Sequence, residues 1–80
     1  MTKEYYLDNS ATTCVFPEVL KKTERFYLEK YGNASSPHAL GEASRKALNE
    51  SRSLLAKEIG ARTEEIIFTS CATESNNLAI

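Results

Sequence analysis

One long helical pattern constrains this sequence more than any other feature. From Pro37 to Ile59, apolar and small residues recur at the spacing of one helix face, and they form a single stripe: Leu40, Ala43, Ala47, Leu48, Ser51, Leu54, Leu55 and Ile59. Such a helix extends about 35 Å at 1.5 Å per residue, which is long for a protein of 80 residues. Because the stripe includes alanine and serine, we expect a large body to pack closely against it.

The ends of two helices are marked by residues that favour starts and stops. Ser36 offers a capping oxygen and Pro37 suits the first helical position, so the long helix is predicted to begin there and to end at Gly60. An earlier helix is predicted from Pro17 to Tyr31, with Gly32 as its stop. Its apolar face comprises Val19, Leu20, Thr23, Phe26, Tyr27 and Tyr31.

A short apolar run, Ile66 to Phe68, is typical of a strand that is covered on both faces. Such a strand needs neighbours, and the sequence "EYYL" at residues 4–7 is the other candidate. We therefore predict an α/β fold, mainly helical with one or two short strands, and we expect the chain to be part of a larger protein. The alternative is a self-contained α+β mini-domain.

Composition excludes several classes of function. The formal net charge is −1, which argues against binding to nucleic acid. No apolar run is long enough for a membrane span or a secretory signal, so we expect a cytoplasmic protein without membrane partners. Cys14, Cys71 and a single histidine make a zinc site improbable, and both thiols are expected to be free.

Small polar residues follow the apolar run where the last helical pattern begins. The first amides of a helix lack intrahelical partners and attract anions, and small side chains such as those of Ser70, Cys71, Ala72 and Thr73 let a phosphate approach them. The alternative is an ordinary helix start capped by Thr73 or Ser70. The residues by themselves leave both interpretations open.

Three segments resemble the N-terminal part of the cysteine desulfurases, which are pyridoxal-phosphate enzymes of the class V aminotransferase type. They are "YLDNSATT" at 6–13, "YGNASSPHALGEASRKALNESR" at 31–52 and "EIIFTSCATESNNLAI" at 65–80. The resemblance implies an N-terminal piece of a PLP-dependent transferase fold of type I. Residues 1–32 would begin the small domain, and residues 33–80 would give a long helix, a first strand and a helix start of the cofactor-binding large domain.

The same resemblance implies an activity and its partners. Cysteine desulfurases are homodimers of roughly 400 residues (a size known from the family). They remove sulfur from L-cysteine, leaving alanine and an enzyme persulfide, and they supply acceptors such as an iron–sulfur scaffold. The cofactor would be pyridoxal 5'-phosphate, and the matching positions Ala72 and Thr73 would bind its phosphate. Cys71 stands where many relatives have glycine, and we interpret it as a packing residue rather than the persulfide cysteine.

Other positions carry two interpretations. Asn33, Ser36 and His38 match a loop near the dimer interface, where they either border the partner's active site or only build the loop. In the turn before Cys14, Asp8, Asn9 and Thr12 are predicted to act as structural caps near the active-site mouth.

No catalytic residue and no metal ligand is predicted in this segment. The lysine that holds the cofactor, its aspartate partner and the persulfide cysteine are expected elsewhere in the family's chain, so we expect residues 1–80 to be inactive alone. Two other hypotheses remain. One is a non-enzymatic helical module that self-associates, and the other is a related class V enzyme such as a selenocysteine lyase or an aminotransferase.

Overall fold

The structure is a computed structural model that describes residues 3–80. Its helices are α1 (Pro17–Leu28), α2 (Ala39–Ile59) and α3 (Ala72–Ala79), with a short 3-10 helix, Thr63–Glu65, between the last two. The chain divides into two compact units, Met1–Tyr31 and Gly32–Ile80. No helix in the described part of the chain is both long enough and apolar enough to cross a membrane.

The first unit holds a turn and α1. The hydroxyl of Tyr6 lies 2.8 Å from the carbonyl oxygens of both Asp8 and Thr12, and the Ala11 amide donates to the Asp8 carbonyl at 3.0 Å. A tyrosine and backbone groups therefore close this turn. No side-chain hydrogen bond from the predicted caps, Asp8, Asn9 and Thr12, is seen within residues 3–80.

Helix α1 begins at Pro17 as predicted but ends at Leu28, so the predicted end at Tyr31 with a stop at Gly32 is wrong. The amides of Glu29 and Lys30 both donate to the carbonyl of Arg25, at 2.8 and 2.7 Å. Two donors on one carbonyl tighten the last turn and end the helix before the glycine.

The second unit is built on α2, which starts two residues later than predicted. The N-cap is His38, whose Nδ1 accepts a hydrogen bond from the Gly41 amide at 3.3 Å. The prediction of a start at Pro37 capped by Ser36 is therefore wrong, because the imidazole supplies the capping atom that the serine was expected to supply. The predicted end is confirmed: Gly60 caps α2 in the left-handed conformation, with φ of 69°.

The strand predicted at Ile66 to Phe68 does not form, nor does the candidate strand at residues 4–7, and no strand is seen anywhere in residues 3–80. A strand needs a neighbour to accept and donate its backbone hydrogen bonds. The carbonyl of Ile66 is bound instead by Nε of Arg52, at 3.2 Å. The one-or-two-strand prediction is therefore wrong for these residues, while the predominance of helix is confirmed.

The apolar stripe of α2 is largely uncovered. Ala56, at 2% exposure, is the buried apolar side chain of the described residues, whereas Leu54 and Ile59 are 65% and 71% exposed. In the second unit α2 packs against the 3-10 helix. These contacts place the segment leading into α3 beside α2.

Candidate anion-binding site

The extended segment before α3 is fixed from the side of α2. Arg52 donates to the Ile66 carbonyl, places its guanidinium 5.1 Å from the centroid of the Phe68 ring, and bonds Asn49 Oδ1 at 2.9 Å. At the other end of this connection, the amide of Arg62 donates to Glu65 Oε2 at 2.7 Å. The chain therefore reaches Thr69 along a defined path.

Helix α3 starts with amide groups that no side chain caps. Its N-cap residue is Cys71, in extended conformation with φ of −169° and ψ of 172°, and it makes no side-chain cap hydrogen bond. Ala72, Thr73 and Glu74 are the first three helical residues, so their amides have no intrahelical acceptor. No carbonyl in residues 3–80 accepts a hydrogen bond from these three amides. The predicted alternative, a helix start capped by Thr73 or Ser70, is not what the structure shows.

Two pairs of side chains hold the turn that leads into α3. Oε2 of Glu74 accepts hydrogen bonds from the amide and the hydroxyl of Ser70, at 3.0 and 2.5 Å. The hydroxyl of Thr69 lies 2.5 Å from that of Ser75 and 3.2 Å from the carbonyl of Cys71. The turn is therefore tied to the first helical turn at two points.

The electrostatics of the helix start are visible in the pKa values of two groups. The backbone amide of Glu74, then the hydroxyl of Ser70, lower the pKa of the Cys71 thiol below its ordinary value of 9.0. The side chain and then the amide of Ser70 lower the pKa of the Glu74 carboxyl. Both groups are exposed, and in both cases hydrogen-bond donors at this helix end favour the negative form.

The donor set fits a phosphate group. The side chains of Cys71, Ala72 and Thr73 are small, the helix dipole adds partial positive charge, and the amides of Ala72 and Thr73 lie at the helix start. Ala72 and Thr73 were predicted from the sequence, and the structure places both in the first turn of α3. Sequence reasoning missed the Ser70–Glu74 hydrogen bonds, although an acid at the third helical position was a signal for them.

The loop residues predicted to border an active site lie together at the start of α2. The Ser35 amide donates to Asn33 Oδ1 and the Ser36 amide to the Asn33 carbonyl, both at 2.9 Å. Nη1 of Arg45 donates to the Ala34 carbonyl at 2.8 Å. With His38 as the helix cap, these contacts give the loop a definite conformation.

The cysteines and acids of the described residues, 3–80, were considered as candidates for a metal site. Cys14 and Cys71 are free and exposed. Within residues 3–80, no group of three or more His, Cys, Asp or Glu side chains is placed to hold a metal ion.

Comparison with known proteins identifies the family. The family model for aminotransferase class-V matches residues 5–80. Cysteine desulfurase IscS of Dictyoglomus turgidum is 51% identical over 80 residues, covering 100% of this chain and 20% of the relative. Cysteine desulfurase IscS of Rickettsia massiliae is 48% identical over 81 residues, with the same coverage. Human selenocysteine lyase is 44% identical over 78 residues, covering 98% of this chain and 18% of the relative.

These matches extend along the whole chain, which spans about a fifth of the length of the curated relatives it matches. No solved structure matches it. Because the family model covers nearly all of the sequence, the chain belongs to the aminotransferase class-V family.

Proposed function

We propose that this chain is the N-terminal segment of a pyridoxal-phosphate-dependent cysteine desulfurase. Such an enzyme, a transferase, takes sulfur from L-cysteine, releases alanine and passes the sulfur from an enzyme persulfide to acceptors such as an iron–sulfur scaffold. The observation that carries the proposal is the 51% identity to Dictyoglomus turgidum IscS over all 80 residues. The uncapped start of α3 supports it independently, because it offers donors for an anionic group.

In this proposal the segment contributes phosphate binding rather than chemistry. The amides of Ala72 and Thr73, together with the Thr73 hydroxyl, hold the phosphate of pyridoxal 5'-phosphate. When bound, that cofactor supplies the electron sink that carbanion chemistry requires. We assign no catalytic residue to residues 1–80. Cys71 serves as the small residue beside the phosphate, and not as the cysteine that carries the persulfide.

The domain assignment is also a proposal. Residues 1–32 begin the small domain and residues 33–80 begin the cofactor-binding domain, and the division of the chain after Tyr31 supports this boundary. We further propose that the enzyme is a cytoplasmic homodimer, and that Asn33, Ser36 and His38 border the active site of the partner subunit. Their definite conformation at the start of α2 supports a role in which position matters.

A second candidate is a selenocysteine lyase, which the 44% identity to the human protein favours. The two candidates differ in substrate and share the proposed phosphate site. Residues outside the start of α3 must then determine which of the two substrates is preferred.

A segment exchange tests the proposal. Residues 1–80 replace the matching fifth of Dictyoglomus turgidum IscS, and this full-length protein is hereafter the chimeric enzyme. We expect it to bind pyridoxal phosphate and to form alanine from L-cysteine at a rate within about tenfold of the host enzyme. A folded chimeric enzyme that binds no cofactor would contradict the proposal.

The same exchange into human selenocysteine lyase separates the two candidates. We expect the segment to support activity better in the desulfurase host, because 51% identity exceeds 44% and more of the packing surfaces match. Full activity in the lyase host together with an inactive desulfurase chimera would favour the second candidate.

A further inference from the structure

The hydrogen bonds between Ser70 and Glu74 have a geometry that differs from an ordinary helix cap. In a capping box, the acid at the third helical position bonds the amide of the N-cap residue. Here Glu74 reaches past the N-cap residue, Cys71, and bonds both the amide and the hydroxyl of Ser70. The carboxylate is therefore satisfied outside the first turn and does not occupy the amides of Ala72 and Thr73.

These bonds fix the backbone that enters the helix. Ser70 precedes the N-cap, so holding its amide and its side chain together restricts the direction from which the chain approaches α3. The pair of Thr69 and Ser75 restrains the same turn from the preceding residue. With both ends of the turn held, the orientation of the first helical amides is set before any ligand arrives.

We propose that Glu74 is a positioning residue for the cofactor phosphate: its carboxylate holds Ser70 against the first turn of α3, so that the amides of Ala72 and Thr73 are preorganised to bind that phosphate. This inference rests on the proposed function. Glu74 thus has a structural role at an anion-binding site, although its carboxylate carries a charge of the same sign as the phosphate.

Preorganisation outweighs charge repulsion in this setting. Glu74 is exposed, so water and salt screen its field. Two hydrogen bonds to a carboxylate, in contrast, restrict a turn that otherwise must be ordered when the ligand binds. Removing the side chain should therefore weaken binding of the phosphate, even though it removes a negative charge.

The experiment compares pyridoxal phosphate with pyridoxal, which lacks the phosphate, on the cofactor-free chimeric enzyme. In Glu74→Ala we expect the Kd for pyridoxal phosphate to rise about tenfold, in line with the loss of a charge-assisted hydrogen bond. The Kd for pyridoxal should stay within about twofold, because only the phosphate uses the preorganised amides. Thermal unfolding of the cofactor-free proteins shows whether the variants remain folded.

Three further variants distinguish positioning from other roles. Glu74→Gln keeps an oxygen that accepts from Ser70 and should recover most of the lost affinity. Ser70→Ala combined with Glu74→Ala should be no weaker than Glu74→Ala alone, because both remove the same interaction. Glu58→Ala is the matched control: it removes an exposed acid from α2 that makes no hydrogen bond or ion pair within residues 3–80, and it should leave both Kd values unchanged.

The outcomes separate this inference from the proposed function. A selective loss for pyridoxal phosphate in Glu74→Ala, with recovery in Glu74→Gln, supports it. An unchanged ratio of the two Kd values in Glu74→Ala, or an equal loss in Glu74→Gln, overturns it while leaving the proposed function intact. A wild-type chimeric enzyme that binds neither compound overturns the proposed function and this inference with it.

Discussion

The guanidinium of Arg52 lies 5.1 Å from the centroid of the Phe68 ring, and its Nε donates to the Ile66 carbonyl at 3.2 Å. One side chain on α2 thus holds the extended segment that leads to the candidate site by two different interactions. The carbonyl that a neighbouring strand would otherwise engage is bound by a charged donor, and that contact is stronger than a neutral hydrogen bond.

Arg52→Lys should loosen this segment. Lysine keeps the charge but lacks the planar fork that bonds Ile66 and stacks on Phe68. We expect the free energy of local opening of this segment to fall by about 1 kcal/mol, which corresponds to roughly fivefold faster amide exchange. The exchange rate is measured on a peptide covering residues 62–70 of the chimeric enzyme, with a peptide from α1 as internal control. Unchanged exchange in residues 62–70 would show that Arg52 does not restrain them.

Gly41→Ala should destabilise the start of α2, although alanine normally favours a helix by about 1 kcal/mol over glycine. An added Cβ would clash with the Ser36 carbonyl oxygen and come within 2.7 Å of the Asn33 carbonyl oxygen. Overpacking of this kind costs about 1–3 kcal/mol. We expect faster exchange in residues 33–41 of the chimeric enzyme.

Gly60→Ala is the matched comparison for Gly41→Ala. No atom lies within 4 Å of a Cβ at Gly60, but its φ of +69° is unfavourable for alanine. It should cost about 1–2 kcal/mol through backbone strain alone, with the effect confined to the end of α2. For the Gly41→Ala variant, slower exchange around residue 41 would contradict the close approach of the 33–36 loop to the start of α2.

The Cys71 thiol should titrate below the ordinary range. Its pKa is lowered first by the Glu74 amide and then by the Ser70 hydroxyl, so thiolate forms at a lower pH than in a free cysteine, whose value is 9.0. Because the folded pKa is depressed, the stabilising contribution appears as pH rises through it, is complete above about 9, and is lost as pH falls.

Alkylation of Cys71 in the cofactor-free chimeric enzyme measures this titration. The rate, followed by mass spectrometry of the Cys71 peptide, should rise with a midpoint below 9.0. In Ser70→Ala the midpoint should move upward, because the hydroxyl that lies 3.6 Å from Cys71 Sγ, and that can turn its one proton from Glu74 to the thiolate, is gone. A midpoint that does not move would show that the hydroxyl has no influence on the sulfur.

The isolated chain of 80 residues should lack a cooperative unfolding transition. Its large apolar side chains are mostly exposed and Ala56 is the buried apolar residue of residues 3–80, so little apolar surface is lost on folding. Circular dichroism should show helix that melts gradually, and the chain should bind a hydrophobic dye. A sharp thermal transition without cofactor would support the alternative of an independent or self-associating module.

The parts of the fold that were predictable depend on local chemistry. Gly60 was predicted as the end of α2 because glycine readily adopts the left-handed conformation found there. A helix start near Cys71 was predicted because the apolar run Ile66 to Phe68 is followed at once by small polar residues. The assignment of Ala72 and Thr73 to the cofactor phosphate came instead from the resemblance to the cysteine desulfurases, and nothing in residues 3–80 tests their binding role.

The sequence predictions were wrong where the local structure depends on residues distant in sequence or on an unusual capping residue. Ser36 and Pro37 form a common start signal, yet the imidazole of His38 caps α2. Ile66 to Phe68 have strand-forming residues, but a strand depends on a neighbouring strand that local sequence cannot supply. The contact of Arg52 with Ile66, across 14 positions of sequence, was equally invisible to a local pattern.

The central claim is that the amides at the start of α3 bind the cofactor phosphate, and proline at the first helical position tests it most directly. Ala72→Pro removes one amide donor at a position where proline fits a helix. Ala39→Pro, at the first position of α2, is the matched control.

In the cofactor-free chimeric enzyme, we expect Ala72→Pro to raise the Kd for pyridoxal phosphate about tenfold or more, with little change for pyridoxal. Ala39→Pro should change neither Kd. If Ala72→Pro binds pyridoxal phosphate as tightly as the unsubstituted enzyme does, the helix start does not hold the phosphate and the account is contradicted.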